Sequence, residues 1–210
     1  MTIPPSHPAG GAPTAPEGAL GQSVAGFLED LGEERQAPGS GSAAAAAIAM
    51  AAAVVAMAAR ASREAWALGA GSAGQAEALK VGAASLVEED ASAYFEAAAA
   101  LESATRNDVE TTADPALGSK LEHAAAVPIT LAQIAGDTAL LAAEVAEHGA
   151  DAQRADAVAA CLIAEGAGRA EAHLVEINLG LAPGDGRRML LRDIRATLAE
   201  ARDRALGTTA

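Results

Sequence analysis

From Ala43 to Ala59 the chain runs 17 residues without a charge, and twelve of them are alanine. Alanine is the best helix former and a poor strand former, because it loses no rotamer freedom in a helix and offers little surface to a sheet. A run of this length touches the lower limit for a membrane span, about 17 residues. Alanine is nearly neutral toward insertion, however, and the run passes directly into Arg60, Arg63 and Glu64, so it reads as the buried helix of a soluble protein. The same bias covers the whole chain: of 210 residues 61 are alanine, and only Phe27, Trp66, Tyr94 and Phe95 are aromatic. A core of such residues depends on close approach of helix backbones, so the expected fold class is all-α.

Acidic residues outnumber basic ones 28 to 14, giving a formal net charge of −14. That field repels phosphate backbones, and with no basic stripe interleaved with aromatics no nucleic-acid partner is expected. One cysteine, Cys161, cannot form an internal disulfide or a cysteine-rich metal site, which suits a reduced cytoplasmic setting. Met1 to Gly18 has neither the basic nor the apolar region of a signal peptide and carries Pro4, Pro5, Pro8, Pro13 and Pro16. Residues 1–18 therefore read as a disordered leader, and residues 19–210 as a single helical domain.

Glycine and proline punctuate that domain into six helices. A short one over Ser23 to Leu31 ends at Gly32, and a second, capped by Ser42, runs to about Leu68. The third spans about Gly74 to Ala104, and Thr105 to Gly118 is a loop by composition. A fourth covers Ser119 to about His148, kinked or restarted at Pro128. The fifth spans about Asp151 to Leu181 and the sixth Gly186 to Leu206, with Leu190, Leu191, Ile194 and Leu198 on its apolar side. Helices of this length joined by short loops make a bundle.

On a helical wheel of the third helix, Leu79, Ala83, Leu86, Tyr94, Ala97 and Leu101 share one arc of roughly 60°, and Asp90 lies inside it. Glu88 and Glu89 point elsewhere. A buried carboxylate is costly unless paired, and desolvation raises its pKa toward values useful in acid–base work. Asp90 is thus the leading catalytic candidate; the plainer alternative is an aspartate capped by a neighbouring helix or placed at a wet end of the bundle. The fifth helix puts Asp156 and Asn178 on a face with Ile163, Ala167, Ala170, Leu174 and Ile177. These two polar residues lie roughly 33 Å apart along an ideal helix, so one subunit cannot bring both to one site. Packing or capping is at least as good an account of each.

His7, His123, His148 and His173 show no metal-ligand spacing, and no metal is expected. Ser42 and Cys161 have no base nearby in sequence. The turn Gly39-Ser-Gly-Ser42 lacks the strand of a dinucleotide fold and the lysine of a phosphate loop. Its amides at a helix start can hold an anion, or the turn simply permits close helix packing. The last helix, with Arg187, Arg188, Arg192, Arg195, Arg202 and Arg204 beside Asp193, Glu200 and Asp203, reads as a solvated, ion-paired face.

An ordered set of short motifs resembles the formiminotransferase-cyclodeaminase and methenyltetrahydrofolate cyclohydrolase family. It comprises Phe27-Leu-Glu-Asp-Leu31, Pro38-Gly-Ser-Gly-Ser-Ala-Ala-Ala45 opening a small-residue helix, Asp90-Ala-Ser-Ala-Tyr94, Ala126-Val-Pro-Ile129, His148-Gly to Asp156-Ala, and Val175-Glu-Ile-Asn-Leu179. The resemblance implies an all-helical homodimer with pockets near the subunit interface. It also implies reactions at a tetrahydrofolate-bound carbon: ring closure of the formimino form with loss of ammonia, or addition of water to the methenyl form. Both pass through a carbon of cationic character that a buried carboxylate stabilises. The family's aspartate would map onto Asp90, its glycine-rich turn onto Gly39, Ser40, Gly41 and Ser42, and further substrate contacts onto Tyr94, Asp156 and Asn178.

Departures from the family pattern shape the functional expectation. Where the family carries a lysine cluster ending in tyrosine, this chain has Ala61-Ser-Arg-Glu-Ala-Trp66. The family's Gly-Asn, Ser-Asp and Asn-Val are Gly149-Ala150, Ala155-Asp156 and Leu174-Val175. The acid is kept while polar contacts are lost, so the first expectation is a diverged enzyme in which Asp90 acts on an imine or iminium carbon. Such an enzyme closes a ring by Mannich or Pictet-Spengler type chemistry in a specialised biosynthetic pathway. The alternatives are a folate enzyme proper, with a tetrahydrofolate derivative as substrate, and a non-catalytic helical dimer. No separate cofactor is expected.

Overall fold

The computed structural model describes residues 21–34, 38–106, 115–179 and 185–207. Among these are six α-helices, one 3-10 turn and no strand: α1 (Val24–Gly32), α2 (Ser40–Ala61), α3 (Gly69–Arg106), α4 (Pro115–His148), the turn Asp151–Gln153, α5 (Arg154–Leu179) and α6 (Gly186–Leu206). The leader at 1–18 and most of the loop expected between α3 and α4 lie outside the described residues.

Helix α2 is the axis of the bundle. It packs against α3, α4 and α5, while α6 closes over α4 and α5. Along it Ala45, Ile48, Ala51, Ala52, Val55, Ala56, Ala58 and Ala59 are fully buried. Alanine on a helix surface lets backbones approach closely, and here that contact replaces the bulk of larger side chains. Both α2 and α4 are long and apolar enough to cross a membrane by length and composition, yet 67% and 56% of their apolar windows are buried within the bundle.

Several boundaries differ from the sequence expectation. Gly39, not Ser42, caps α2, and Ser42 sits fully buried in the first turn. The helix ends at Ala61 because Ser62 turns the chain: its hydroxyl donates to the Ala58 carbonyl and accepts from the Ala150 amide at 2.9 Å, tying this end to the turn after α4. Helix α3 starts at Gly69 and runs through Gly71 and Gly74; burial of Ser72, Ala73 and Ala76 outweighs the glycines' low propensity, about 1 kcal/mol each. Pro128 is buried inside a continuous α4, and Pro115 occupies the first position of that helix, where no amide is needed.

Two wheels also need correction. On α3, Ala83 and Ala97 are buried as expected, but Tyr94 and Leu101 are 47% and 43% exposed. On α5 Ala167 is buried as expected, but Asp156, Ile163 and Ile177 point outward, and the buried line also holds Ala157, Ala160, Cys161, Ala164, Glu171, Ala172 and Val175. Small residues win the interior where helices pack closely, so weighting a wheel by the large ones rotates it away from the core.

Four of the six arginines of α6, Arg187, Arg195, Arg202 and Arg204, are ion-paired. Arg195 forms a bidentate pair with Glu176 at 2.8 and 2.9 Å, Arg204 pairs with Glu147, and Arg202 with Asp203. The Cys161 thiol is buried, and burial pushes its pKa up to about 11, so it is an inert packing residue.

Candidate active site

The first turn of α2 has no hydrogen-bonding side chain at its cap. One of its amides, that of Ser42, is satisfied instead by a residue distant in sequence. The half-buried Asp90 carboxylate reaches across from α3 and accepts the Ser42 hydroxyl at Oδ2, 3.0 Å, together with the Ser42 backbone amide. A carboxylate placed there also meets the positive end of the helix dipole. Gly41 makes the contact possible: a Cβ at that position would lie 2.6 Å from both Asp90 carboxylate oxygens.

Burial pushes the Asp90 carboxyl above its ordinary range, and the two bonds from Ser42 hold it down; burial is the stronger. The result is a carboxyl group held at a fixed place and shifted toward its protonated form. Of the turn Gly39 to Ser42, Gly41 and Ser42 lie against Asp90, while Ser40 is exposed. Glu88 and Glu89 are exposed on the other side of α3, where Glu89 lies 3.8 Å from His123.

The sequence reading missed Glu171. It is fully buried on α5, both carboxyl oxygens lack a hydrogen-bond partner, and its pKa is pushed up to about 9, first by burial and then by the Asp90 charge. At neutral pH it carries a proton. Two carboxyl groups pushed upward by burial, with Glu171 held as an acid, form an arrangement from which acid–base chemistry can be built. The signal lay in the small-residue period of α5, where Ala157, Ala160, Ala164, Glu171 and Val175 follow one buried stripe.

The other candidates are not gathered here. Tyr94 is largely exposed one turn beyond Asp90. Asp156 is exposed in the first turn of α5, roughly 22 Å along the helix from Glu171. Asn178 lies in the last turns of α5, about 10 Å along the axis beyond Glu171, with its side chain outside the described structure. Among the described residues no group of histidine, cysteine and acidic side chains is placed to hold a metal. A cavity of about 340 Å³, lined by Arg60, Arg63, Ala70, Ala73, Gly74 and Glu77, lies at the opposite end of α2. Its one carboxylate is already engaged, since Glu77 pairs with both Arg60 and Lys80.

Comparison with known proteins agrees with this architecture. The family model described as Formiminotransferase-cyclodeaminase matches residues 23–186. The crystal structure of formiminotetrahydrofolate cyclodeaminase from Thermotoga maritima superposes with a TM-score of 0.76 at 20% identity, covering 88% of this chain and 93% of that one. No curated protein matches the sequence.

Proposed function

The chain belongs to the formiminotransferase-cyclodeaminase family, and from that premise we propose that it is a cyclodeaminase- or cyclohydrolase-type enzyme acting on a one-carbon unit held between two nitrogens of a tetrahydrofolate derivative. The observation that supports this reading best is the Asp90 carboxylate, fixed by Ser42 at the α2 N-terminus with a second carboxyl, Glu171, in its field. In hydrolysis of a methenyl group, water oxygen bonds to the cationic carbon, a water proton passes to the carboxylate, and one carbon–nitrogen bond then breaks as that nitrogen is protonated. In cyclodeamination, the second nitrogen, the one that does not carry the formimino group, attacks the formimino carbon, its proton goes to the carboxylate, and ammonia leaves with a proton returned to it. Both pathways pass through a carbon of cationic character, present in the methenyl substrate of the one and formed on ring closure in the other, and a preorganised carboxylate can face it. No cofactor or metal is required by either sequence of steps.

The outward faces of the adjacent helices α2 and α5 expose Met50, Met57, Leu162, Ile163 and Ile177. We place a homodimer contact on this surface, in a cytoplasmic protein, and Asp156 shares the α5 face. A second reading, ring closure on a different iminium substrate, draws on the lysine-free segment Ala61 to Trp66; the family match favours the folate reading over it.

The test is the decay of methenyltetrahydrofolate absorbance on adding protein, with Asp90→Asn as control. Acceleration that the variant loses supports the folate reading. Absence of acceleration by folded wild-type protein overturns it and leaves the iminium cyclase and the non-catalytic dimer.

A further inference from the structure

The cavity of about 340 Å³ lies between the end of α2 and the start of α3, and no step assigned to Asp90 uses it. Arg60 in its wall is about 27 Å along α2 from Ser42, the residue that holds Asp90. The charge balance at the cavity is opposite to that of the chain. Three cations, Arg60, Arg63 and Lys80, stand with one carboxylate, Glu77, in a protein of formal net charge −14. The bonds from Lys80 and Arg60 hold the Glu77 carboxyl below its ordinary range, so it stays an anion and fixes Arg60 in place. Arg63 forms no ion pair among the described residues; its Nη1 donates only to the Arg60 carbonyl, at 3.4 Å. A guanidinium offers donors on each of its nitrogens, so both arginines keep donors to spare. The last carbonyls of α2, which would repel an anion, already accept from the Ser62 and Arg63 amides.

The backbone beneath Arg63 is fixed. The Ser62 carbonyl accepts the Ala65 and Trp66 amides at 3.0 and 2.8 Å. Gly69 brings α3 so near that a Cβ there would lie 2.9 Å from the Ala59 carbonyl and 3.0 Å from the Arg63 Cα. Gly74, in the opposite wall, is under no such constraint, because a Cβ there would meet nothing within 4 Å. Packing therefore gives no reason for a residue that weakens a helix interior. What its missing side chain does is leave the space beside Ala70, Ala73 and Glu77 open.

We propose that this cavity is a second ligand site, for a small phosphomonoester, with the phosphate held by Arg60 and Arg63 and the organic group against Ala70, Ala73 and Gly74. A guanidinium fork matches the oxygens of a phosphate. A phosphate ester carries close to two negative charges at neutral pH, which offsets the local excess of cations. The volume falls in the range of small-molecule sites, about 300–1,000 Å³, and exceeds what a free phosphate ion fills. A neutral ligand leaves the arginines uncompensated, and a monoanion offsets only part of their charge. No covalent bond is made or broken. The site is separate from Asp90, so this inference stands or falls apart from the folate reading.

The full chain is titrated calorimetrically with phenyl phosphate at fixed ionic strength, beside benzenesulfonate, a monoanion of similar shape, and inorganic phosphate. Phenyl phosphate is expected to saturate a single site per chain, with benzenesulfonate about tenfold weaker and inorganic phosphate weaker by roughly fivefold. Arg63→Gln, at an exposed position, is expected to weaken phenyl phosphate by about tenfold or more. Gly74→Leu, whose side chain would occupy the cavity, is expected to abolish binding, and Arg192→Gln on α6 to leave it unchanged. No saturable binding by the folded wild type, equal affinity for benzenesulfonate, or binding that survives Gly74→Leu or Arg63→Gln undiminished overturns the proposal. Inorganic phosphate binding as tightly as phenyl phosphate overturns the assignment of an ester and leaves the free ion as ligand. Should Gly74→Leu fail to fold, Arg63→Gln and the wild-type comparisons decide the question.

Discussion

The two ends of α2, roughly 33 Å apart along the helix, bury polar groups in opposite ways. At the C-terminal end Ser62 is fully buried and fully used, donating to the Ala58 carbonyl and accepting from the Ala150 amide. Nearby Trp66 and His148 pack with ring centroids 6.2 Å apart. At the N-terminal end Ser42 is equally buried, but the Asp90 carboxylate it binds stays half-exposed and Glu171 behind it has no partner. Each end also needs a glycine. A Cβ on Gly149 would lie 2.5 Å from the Val145 carbonyl, part of a helix backbone, whereas the atoms nearest one on Gly41 all belong to the Asp90 side chain. Satisfied polar groups beside rigid backbone hold the fold together; unsatisfied ones beside a movable carboxylate are free for chemistry. The cavity of about 340 Å³ belongs to the first kind of end, so that concavity lies away from Asp90 and Glu171.

Substitutions at the two ends break this contrast if they act alike. Asp90→Asn is expected to lower the rate of methenyl hydrolysis by at least about 100-fold, with no loss of melting temperature, because only the charge is removed. Gly149→Ala should do the reverse, costing about 3 kcal/mol in denaturant unfolding while the surviving folded protein keeps its kcat. Gly41→Ala sharpens the comparison: the carboxylate can rotate away, so the stability loss is nearer ~1 kcal/mol, but activity falls with the displaced Asp90.

A pH titration of stability separates the ends again. Glu171 is protonated in the folded protein up to about 9 and ionised in the unfolded chain above its ordinary 4.5. The folded state therefore binds the extra proton between those values, and unfolding free energy is expected to fall as pH rises through that window. Glu171→Gln should flatten the decline, and a decline unchanged in the variant would refute the assignment. The smallest effects are expected from the two serines. Ser62→Ala should cost about 1–2 kcal/mol by stranding the Ala150 amide. Ser42→Ala should cost about 1 kcal/mol and move the acidic limb of the activity profile upward, since its bond is what holds the Asp90 pKa down.

Helix number and order were legible because glycine and proline mark each break, and α6 begins and ends where its sequence says. Asp90 was legible because a carboxylate stood where apolar residues recur. Glu171 was not, because Ile163, Leu174 and Ile177 drew the wheel toward the outer face while the interior was reserved for alanine. The partner of Ser42 was equally hidden: a contact across 48 residues between two helices has no local signature.

The alanine interior sets the direction in which this protein is vulnerable to change. In a core of leucine and phenylalanine the damaging replacement is the one that leaves a void. Here there is little side chain left to delete, and the damaging replacement is the one that adds atoms, since each methyl group already fixes the spacing of two helix backbones. Libraries that enlarge residues along Ala44 to Ala59 should be depleted far more strongly than those that shrink them, the opposite of the usual profile of a globular core.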